Sequence, residues 1–135
     1  METRRNFVTK IAAGMAATGL IAAANNVHAS EAVLKNTFVH HVFFWLKEPN
    51  NKEACNQFEQ GLQSLIKVPL IQTSHIARPV ESSRDVVDDS FTYSYMVFFK
   101  NKEDQEIYQT HPIHLKFIED CQHLWNKVVV YDAMD

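Results

Sequence analysis

Residues 107–114, IYQTHPIH, contain a proline that divides the second helical region of the chain in two. Pro112 has no backbone N–H and pushes the preceding residue, His111, out of the helical conformation. The polar stretch 101–109 is therefore predicted to be a short helix that ends just before the proline. A second helix is predicted to start at Pro112, where the missing N–H costs nothing, with His111 as its cap and His114 in its first turn.

This break places a tyrosine and a histidine at one helix end. The N-terminus of a helix carries partial positive charge, which disfavours a protonated imidazole and keeps a histidine neutral. Tyr108 lies just across the break from His114. A phenol and a neutral imidazole in one cavity form an acid/base pair, so Tyr108 and His114 are the candidate catalytic residues. The alternative is that the motif is only a helix junction with capping polar groups.

The segments on either side of the break alternate between strand and helix patterns. Residues 38–47 (FVHHVFFWLK) and 91–100 (FTYSYMVFFK) are dense in β-branched and aromatic residues and are predicted strands. Residues 51–68 show helical spacing of apolar residues, and residues 71–80 and 127–132 are further predicted strands. The order strand, helix, strand, strand, helix, strand indicates an α+β domain of the ferredoxin-like βαββαβ type.

Two helical stripes predict which side chains face the core. The first helix places on one side Cys55, Phe58, Leu62, Leu65 and Ile66. In the helix after the break, the side chains predicted to face the core are Leu115, Ile118, Cys121 or Gln122, and Trp125. Antiparallel helices bring the two cysteines near each other, and two interpretations are open: a disulfide, which an exported protein permits, or two buried thiols that act as small hydrophobic groups.

The predicted strands over residues 38–47 and 91–100 are apolar on both faces. In the first strand, one parity carries His41, Phe43 and Trp45, and the other carries His40, Val42, Phe44 and Leu46. Two helices cover only one face of a four-stranded sheet, so the other face needs a second cover. An exposed apolar face of that size exceeds what monomers tolerate. The sequence therefore predicts a homodimer in which the sheet of a second copy supplies the cover.

The start of the chain has the three parts of an export signal in order. Arg4 and Arg5 precede an apolar stretch, residues 11–24, which is too short and too weakly hydrophobic for a stable membrane span. Residues 27–29 (VHA) supply the small residues of a peptidase site. We therefore expect a twin-arginine signal peptide and an exported, periplasmic protein; the alternative is an uncleaved amphipathic anchor.

The expected organisation is a signal peptide over residues 1–29, a linker over 30–36 and one domain over 37–135. Removing the signal leaves 10 basic and 15 acidic residues of the 13 and 16 in the whole chain. No basic run remains, so a nucleic-acid partner is not expected. Only three glycines are present, which argues against a glycine-rich phosphate loop. About a hundred residues suffice for one small domain and not for two.

Three pieces of the sequence carry a resemblance to a known family. They are the first strand from His41 to Lys47, the pattern Tyr-x-x-His-Pro-x-His over residues 108–114, and the pattern Trp-x-Lys-Val-Val-Val-Tyr-Asp over residues 125–132. On these pieces the chain resembles the stress-responsive A/B barrel (Dabb) family. The resemblance implies a dimeric α+β barrel built from two ferredoxin-like sheets. Family functions run from stable stress-associated oligomers to a plant polyketide cyclase that works without a cofactor.

The resemblance also implies roles for single residues. In that cyclase the acid/base residues are a tyrosine and the second histidine of the motif, which match Tyr108 and His114 here. The histidine that opens its first strand matches His41, and a histidine on its third strand corresponds to Tyr93, so the two pockets differ. The helix break and the resemblance together predict a pocket between helices and sheet. Its expected ligand-binding residues are His41, Tyr93, Tyr95 and His111.

A dedicated metal site is not predicted. Adjacent His40 and His41 point to opposite faces of a strand, and His111 and His114 have no third ligand in the sequence pattern. No cofactor is expected either. Two classes of function therefore remain open: a homodimeric barrel that binds a small apolar or aromatic ligand, or a cofactor-independent cyclase, isomerase or lyase that uses Tyr108 and His114.

Overall fold

Four antiparallel strands and three helices make up the part of the chain that the computed structural model describes, residues 33–135. The strands are β1 (Phe38–Leu46), β2 (Thr73–Ala77), β3 (Tyr93–Phe99) and β4 (Trp125–Met134). The helices are α1 (Lys52–Leu65), α2 (Lys102–Thr110) and α3 (Pro112–Cys121). The sheet order is β2-β3-β1-β4 with antiparallel neighbours throughout. This is the predicted ferredoxin-like α+β fold.

The expected signal peptide, residues 1–29, lies outside the described residues, as does the start of the expected linker. No helix within residues 33–135 is long and apolar enough to cross a membrane.

The break between α2 and α3 forms at Pro112, as the sequence predicts. Pro112 is the first residue of α3, and His111 before it has extended backbone angles, φ −64° and ψ 138°. The His111 Nδ1 atom accepts a hydrogen bond from the backbone N–H of Ile113 at 3.1 Å. This bond satisfies one of the N–H groups that the first turn of a helix leaves without a partner.

The helical stripe of α3 differs from the prediction at Leu115 and Phe117. Leu115 is 54% exposed, so the prediction that it faces the core is wrong, and Phe117, which the predicted stripe omits, is buried. Cys121 is buried as predicted, and Ile113 and Ile118 pack against the core. Because α3 begins at Pro112, its inward face starts at Ile113 and continues four and five residues later with Phe117 and Ile118. Leu115, two residues after Ile113, falls on the opposite side.

Helices α1 and α3 approach closely at Gly61. A Cβ atom at this position would lie 2.5 Å from the Cys121 Sγ atom, so only glycine leaves room for that thiol. Cys55 lies six residues earlier on α1, about 9 Å along the helix axis. Both cysteines are buried and free. The structure therefore agrees with the interpretation of two buried thiols and not with a disulfide.

The two faces of the sheet differ in their cover. Along β1, alternate residues from Phe38 to Leu46 are buried beneath the helices. We call the other side the open sheet face, because no helix within residues 33–135 packs on it. From the strand register its side chains are Val39, His41, Phe43 and Trp45 of β1; Thr73, His75 and Ala77 of β2; Ser94, Met96 and Phe98 of β3; and Lys127, Val129, Tyr131 and Ala133 of β4.

Candidate functional site

A cavity of about 200 Å³ lies between the helix-facing side of the sheet and helices α2 and α3. Its walls are mostly Val, Leu, Ile, Phe and Trp side chains. The polar side chains that line it are His40, Tyr95, Tyr108, Gln109 and His114. A small, largely apolar cavity with a few convergent polar groups is the usual form of a ligand site.

Larger hollows lie elsewhere on the described surface, and two of them are several times larger than this cavity. One, of about 790 Å³, runs between α1 and β2, and the other, of about 770 Å³, runs between α1 and α3. Both contain amide and charged side chains of exposed helix faces and neither contains a histidine. The smaller cavity is therefore the better candidate site, because it is the one among these three that brings histidine rings and tyrosine hydroxyls together within mostly apolar walls.

Tyr108 and His114 meet in the smaller cavity. Their ring centroids are 4.7 Å apart, and the Tyr108 hydroxyl lies 3.2 Å from the Tyr95 hydroxyl. Burial raises the pKa of Tyr108 well above its usual value, although the hydrogen bond with Tyr95 acts in the opposite direction. Burial also raises the pKa of Tyr95. Both phenols therefore stay protonated at neutral pH and are able to donate a hydrogen bond.

His114 carries a buried nitrogen without a partner. Its Nδ1 atom makes no hydrogen bond within the described residues. The pKa of His114 is lowered mainly by burial and further by nearby His40, while the backbone carbonyl of Gln109 acts in the opposite direction. The imidazole is therefore neutral at neutral pH. Buried polar atoms normally have partners, so Nδ1 marks a place where a ligand could bind.

His40 is a cavity residue that the sequence prediction missed. Its Nδ1 atom lies 2.6 Å from the Asp132 Oδ1 atom, across the β1–β4 pair. A carboxylate only accepts hydrogen bonds, so the His40 Nδ1 atom donates the proton of this bond. The alternation of side chains along β1 contained a signal for His40. His40 lies on the same face of the strand as Val42 and Phe44, and this face is the more uniformly apolar one and packs against the helices.

His41 lies on the open sheet face, so the prediction that it lines the cavity with Tyr108 and His114 is wrong. Its Nε2 atom lies 2.7 Å from the Ser94 hydroxyl oxygen. The physical reason is the two-residue period of a strand, which sends adjacent His40 and His41 to opposite faces. The pKa of His41 is lowered by burial first and then by His75 and His40.

Tyr93 also lies outside this cavity, although its side chain is buried on the helix-facing side. Its hydroxyl donates to the Glu59 carboxylate at 2.6 Å, and the Arg78 guanidinium both contacts the hydroxyl and lies 4.6 Å from the ring centroid. Phe58 packs against the Tyr93 ring. Tyr93 therefore belongs to a separate polar cluster between α1 and the end of β2. Its pKa is raised by burial and then by the bond to Glu59.

His111, the remaining predicted ligand-binding residue, caps α3 and does not line the cavity. Of the residues predicted from sequence, the structure brings together Tyr95, Tyr108 and His114. It adds His40, whose ring contacts Asp132. It places outside the cavity His41, Tyr93 and His111.

The family model described as Stress Responsive A/B Barrel Domain matches residues 38–135. The chain belongs to this family. The match covers every element from β1 to β4, including the helix break and the cavity residues. A sequence comparison with curated proteins found no significant match.

Solved structures of stress-responsive A/B barrel proteins and their neighbours share the fold. A Dabb family protein from Mesorhizobium loti has a TM-score of 0.62 at 18% identity, with 73% of this chain and 96% of that chain covered. A hydroxynitrile lyase from Passiflora edulis has a TM-score of 0.63 at 19% identity, with 73% and 93% covered. A dimeric protein of unknown function from Bacteroides fragilis has a TM-score of 0.60 at 18% identity, with 76% and 100% covered.

Proposed function

We propose that this stress-responsive A/B barrel protein is an exported homodimer that binds a small, neutral, largely apolar ligand in the cavity beside Tyr108 and His114. The unpartnered Nδ1 atom of His114 carries the proposal, because a ligand hydroxyl or carbonyl group would satisfy it. The mostly apolar walls would hold the remainder of the ligand.

The size and charge of the cavity narrow the class of ligand. A cavity of roughly 150 Å³ holds benzene in another protein. A cavity of about 200 Å³ therefore fits one ring with a short substituent, and a long polyketide chain exceeds it. No lysine or arginine lines the cavity, so nothing there would neutralise a carboxylate.

Benzyl alcohol and benzoate test this proposal as a pair that matches in size and differs in charge. We expect benzyl alcohol to shift the NMR signals of the His114 and His40 rings saturably, and benzoate to leave them unchanged. Val130→Trp should block the effect, because Val130 lines the cavity from the edge strand. Leu115→Trp, on the exposed side of α3, is the matched control and should bind like wild type. Equal binding to all three proteins, or none to wild type, contradicts the proposal.

Cofactor-independent acid/base catalysis is the second candidate, and the His40–Asp132 pair favours it. A carboxylate that fixes the tautomer of a histidine is the arrangement that prepares the free nitrogen to accept a proton. Neutral His114 would act as the base, the protonated Tyr108 hydroxyl would donate to the substrate oxygen, and His40 would be a second base. A lyase, isomerase or cyclase reaction on a one-ring carbonyl or hydroxy compound fits these groups.

Mandelonitrile, a one-ring hydroxynitrile, is a suitable probe of this candidate, since one structural neighbour is a hydroxynitrile lyase. The base would take the hydroxyl proton, the carbon–cyanide bond would break, benzaldehyde would form, and a protonated group would return a proton to cyanide. We expect benzaldehyde release that Tyr108→Phe or His114→Gln lowers by about 10²–10⁴. Release no faster than in buffer rejects the lyase reaction and leaves the binding role.

The homodimer is supported by the open sheet face and by the neighbours. That face presents aromatic and aliphatic side chains from all four strands without a helical cover. Several structural neighbours are described as dimeric. Two copies of the face related by a two-fold axis would cover each other. Export rests on the twin arginines and the signal-like order of the first 29 residues.

A further inference from the structure

Two histidines lie near the centre of the open sheet face. His41 on β1 and His75 on β2 both pair in register with Met96 of β3, which lies between them. Tyr131 of β4 continues the same row on the other side of His41. The rows above and below are mainly aromatic and aliphatic. An imidazole row in the middle of an apolar face is the part of it that responds to pH.

No strand offers this row a counter-charge. The titratable side chains on the open sheet face are His41, His75, Lys127 and Tyr131, and β3 contributes none. Lys127 is a cation and lies over the Trp45 ring, 4.1 Å from its centroid. Near Trp45, the loop before β3 carries the carboxylate of Asp88. This carboxylate accepts a hydrogen bond from the Ser90 hydroxyl, which itself accepts one from the Trp45 ring, and it bonds to neither histidine. His40 lies behind the row on the helix-facing side.

We propose that the open sheet face is a pH-sensitive interface, where two copies associate while His41 and His75 are neutral and separate when acid protonates them. This inference rests on the proposed homodimer. A two-fold axis would bring the same face from both copies together, so four imidazoles would enter an interface that has no carboxylate on any of its strands. A cation buried without a partner is strongly unfavourable.

The direction of the effect follows from proton binding. In the single chain, burial and neighbouring histidines already lower the pKa of His41. A second sheet removes more water and acts in the same direction. The separated chains then bind more protons than the dimer. Association therefore weakens as pH falls below the ordinary histidine value of about 6.5, for His41 only at lower pH, and is unaffected well above it. Consider a pH one unit below the pKa that a histidine has in the separated chains. Each histidine that must be neutral in the dimer then lowers the association constant about tenfold.

Sedimentation equilibrium at about pH 7.5 and about pH 5.5, at one ionic strength, tests the inference on the mature protein. We expect the dimer dissociation constant to rise by at least about a hundredfold at the lower pH. His41→Gln with His75→Gln keeps polar side chains and removes both titrations, so this double variant should hold nearly the same dissociation constant at both values. His123→Gln, an exposed histidine outside the face, is the matched control and should behave like wild type.

The outcomes separate the inference from the homodimer. A wild-type monomer at both pH values overturns the homodimer and the inference with it. A wild-type dimer of equal affinity at both values leaves the homodimer and overturns the pH-sensitive interface. Dissociation at the lower pH that persists unchanged in the double variant also overturns it. Circular dichroism of the acid form distinguishes separation of folded chains from unfolding.

Discussion

At the scale of single residues, one short motif supplies two histidines with different tasks. His111 accepts a hydrogen bond from the Ile113 N–H and caps α3. His114, one turn further, turns its ring toward Tyr108 and leaves a buried nitrogen without a partner. The two histidines differ because His111 is the N-cap, with extended backbone angles, whereas His114 lies within the first turn of α3. The sequence alone leaves both interpretations of the motif open. His111 is the capping residue of the helix junction, and a site role for His114 is a proposal.

Substitutions at these two positions should therefore differ in effect. His111→Ala removes a helix cap and should lower the free energy of unfolding by about 1 kcal/mol, with benzyl alcohol binding unchanged. His114→Gln should abolish the binding and change the melting temperature little. Chemical denaturation and NMR titration of both variants give the comparison. Loss of binding in His111→Ala alone would show that the assignment of the two roles is reversed.

The lowered pKa of His114 makes the stability of the fold depend on pH. The unfolded chain takes up a proton at this histidine more readily than the folded chain, where burial opposes the charge. The free energy of unfolding should therefore fall as pH drops below about 6.5. His114→Gln should flatten this part of the curve relative to wild type in urea denaturation series. Identical slopes in the two proteins would contradict the buried, neutral imidazole.

Strand parity explains which site residues the sequence predicted well. Tyr95, Tyr108 and His114 line one cavity, which is where the sequence predicts them. The sequence contains two adjacent histidines on β1, and the face of the strand that carries His40 is only slightly more apolar than the face that carries His41, so composition alone does not decide which histidine faces the helices. The packing of α2 and α3 on the sheet decides in favour of His40. Asp132 joins the site only through the β1–β4 register, which one strand alone does not reveal.

At the scale of elements, the order of strands and helices followed from local patterns, whereas several ends did not. The sequence predicts α1 to residue 68, but it ends at Leu65, and a tighter turn with N–H bonds to the third residue back leads to Pro69. β4 extends from Trp125 to Met134, well beyond the predicted 127–132, because it pairs along the whole of β1. Such ends depend on partner elements and are set by tertiary contacts.

The contact between α1 and α3 yields a prediction of its own. Gly61→Ala places a Cβ atom 2.5 Å from the Cys121 Sγ atom and 3.2 Å from the Phe117 ring. We expect a loss of about 1–3 kcal/mol in the free energy of unfolding from overpacking, which exceeds the gain of up to about 1 kcal/mol in helix propensity. Gln63→Ala, on the exposed side of α1, is the control. Adding Cys121→Ala to Gly61→Ala should recover part of the loss; a stabilised single variant would contradict the close packing.

At the scale of the whole molecule, the first 29 residues predict where the protein acts. Changing Arg4 and Arg5 to Lys should leave the precursor unprocessed in the cytoplasm, because the twin-arginine route depends on the arginine pair. Cell fractionation with detection of precursor and mature forms measures this. Normal processing of the double variant would exclude the twin-arginine route.

We propose that two copies of the chain form a barrel whose cavities each hold one small neutral molecule. Native mass spectrometry of the mature protein at neutral pH, with and without benzyl alcohol, measures subunit number and bound mass together. We expect a dimer that retains up to two molecules of benzyl alcohol, and a Val130→Trp dimer that retains none. A monomer, or a dimer that retains the alcohol equally in wild type and Val130→Trp, would contradict it.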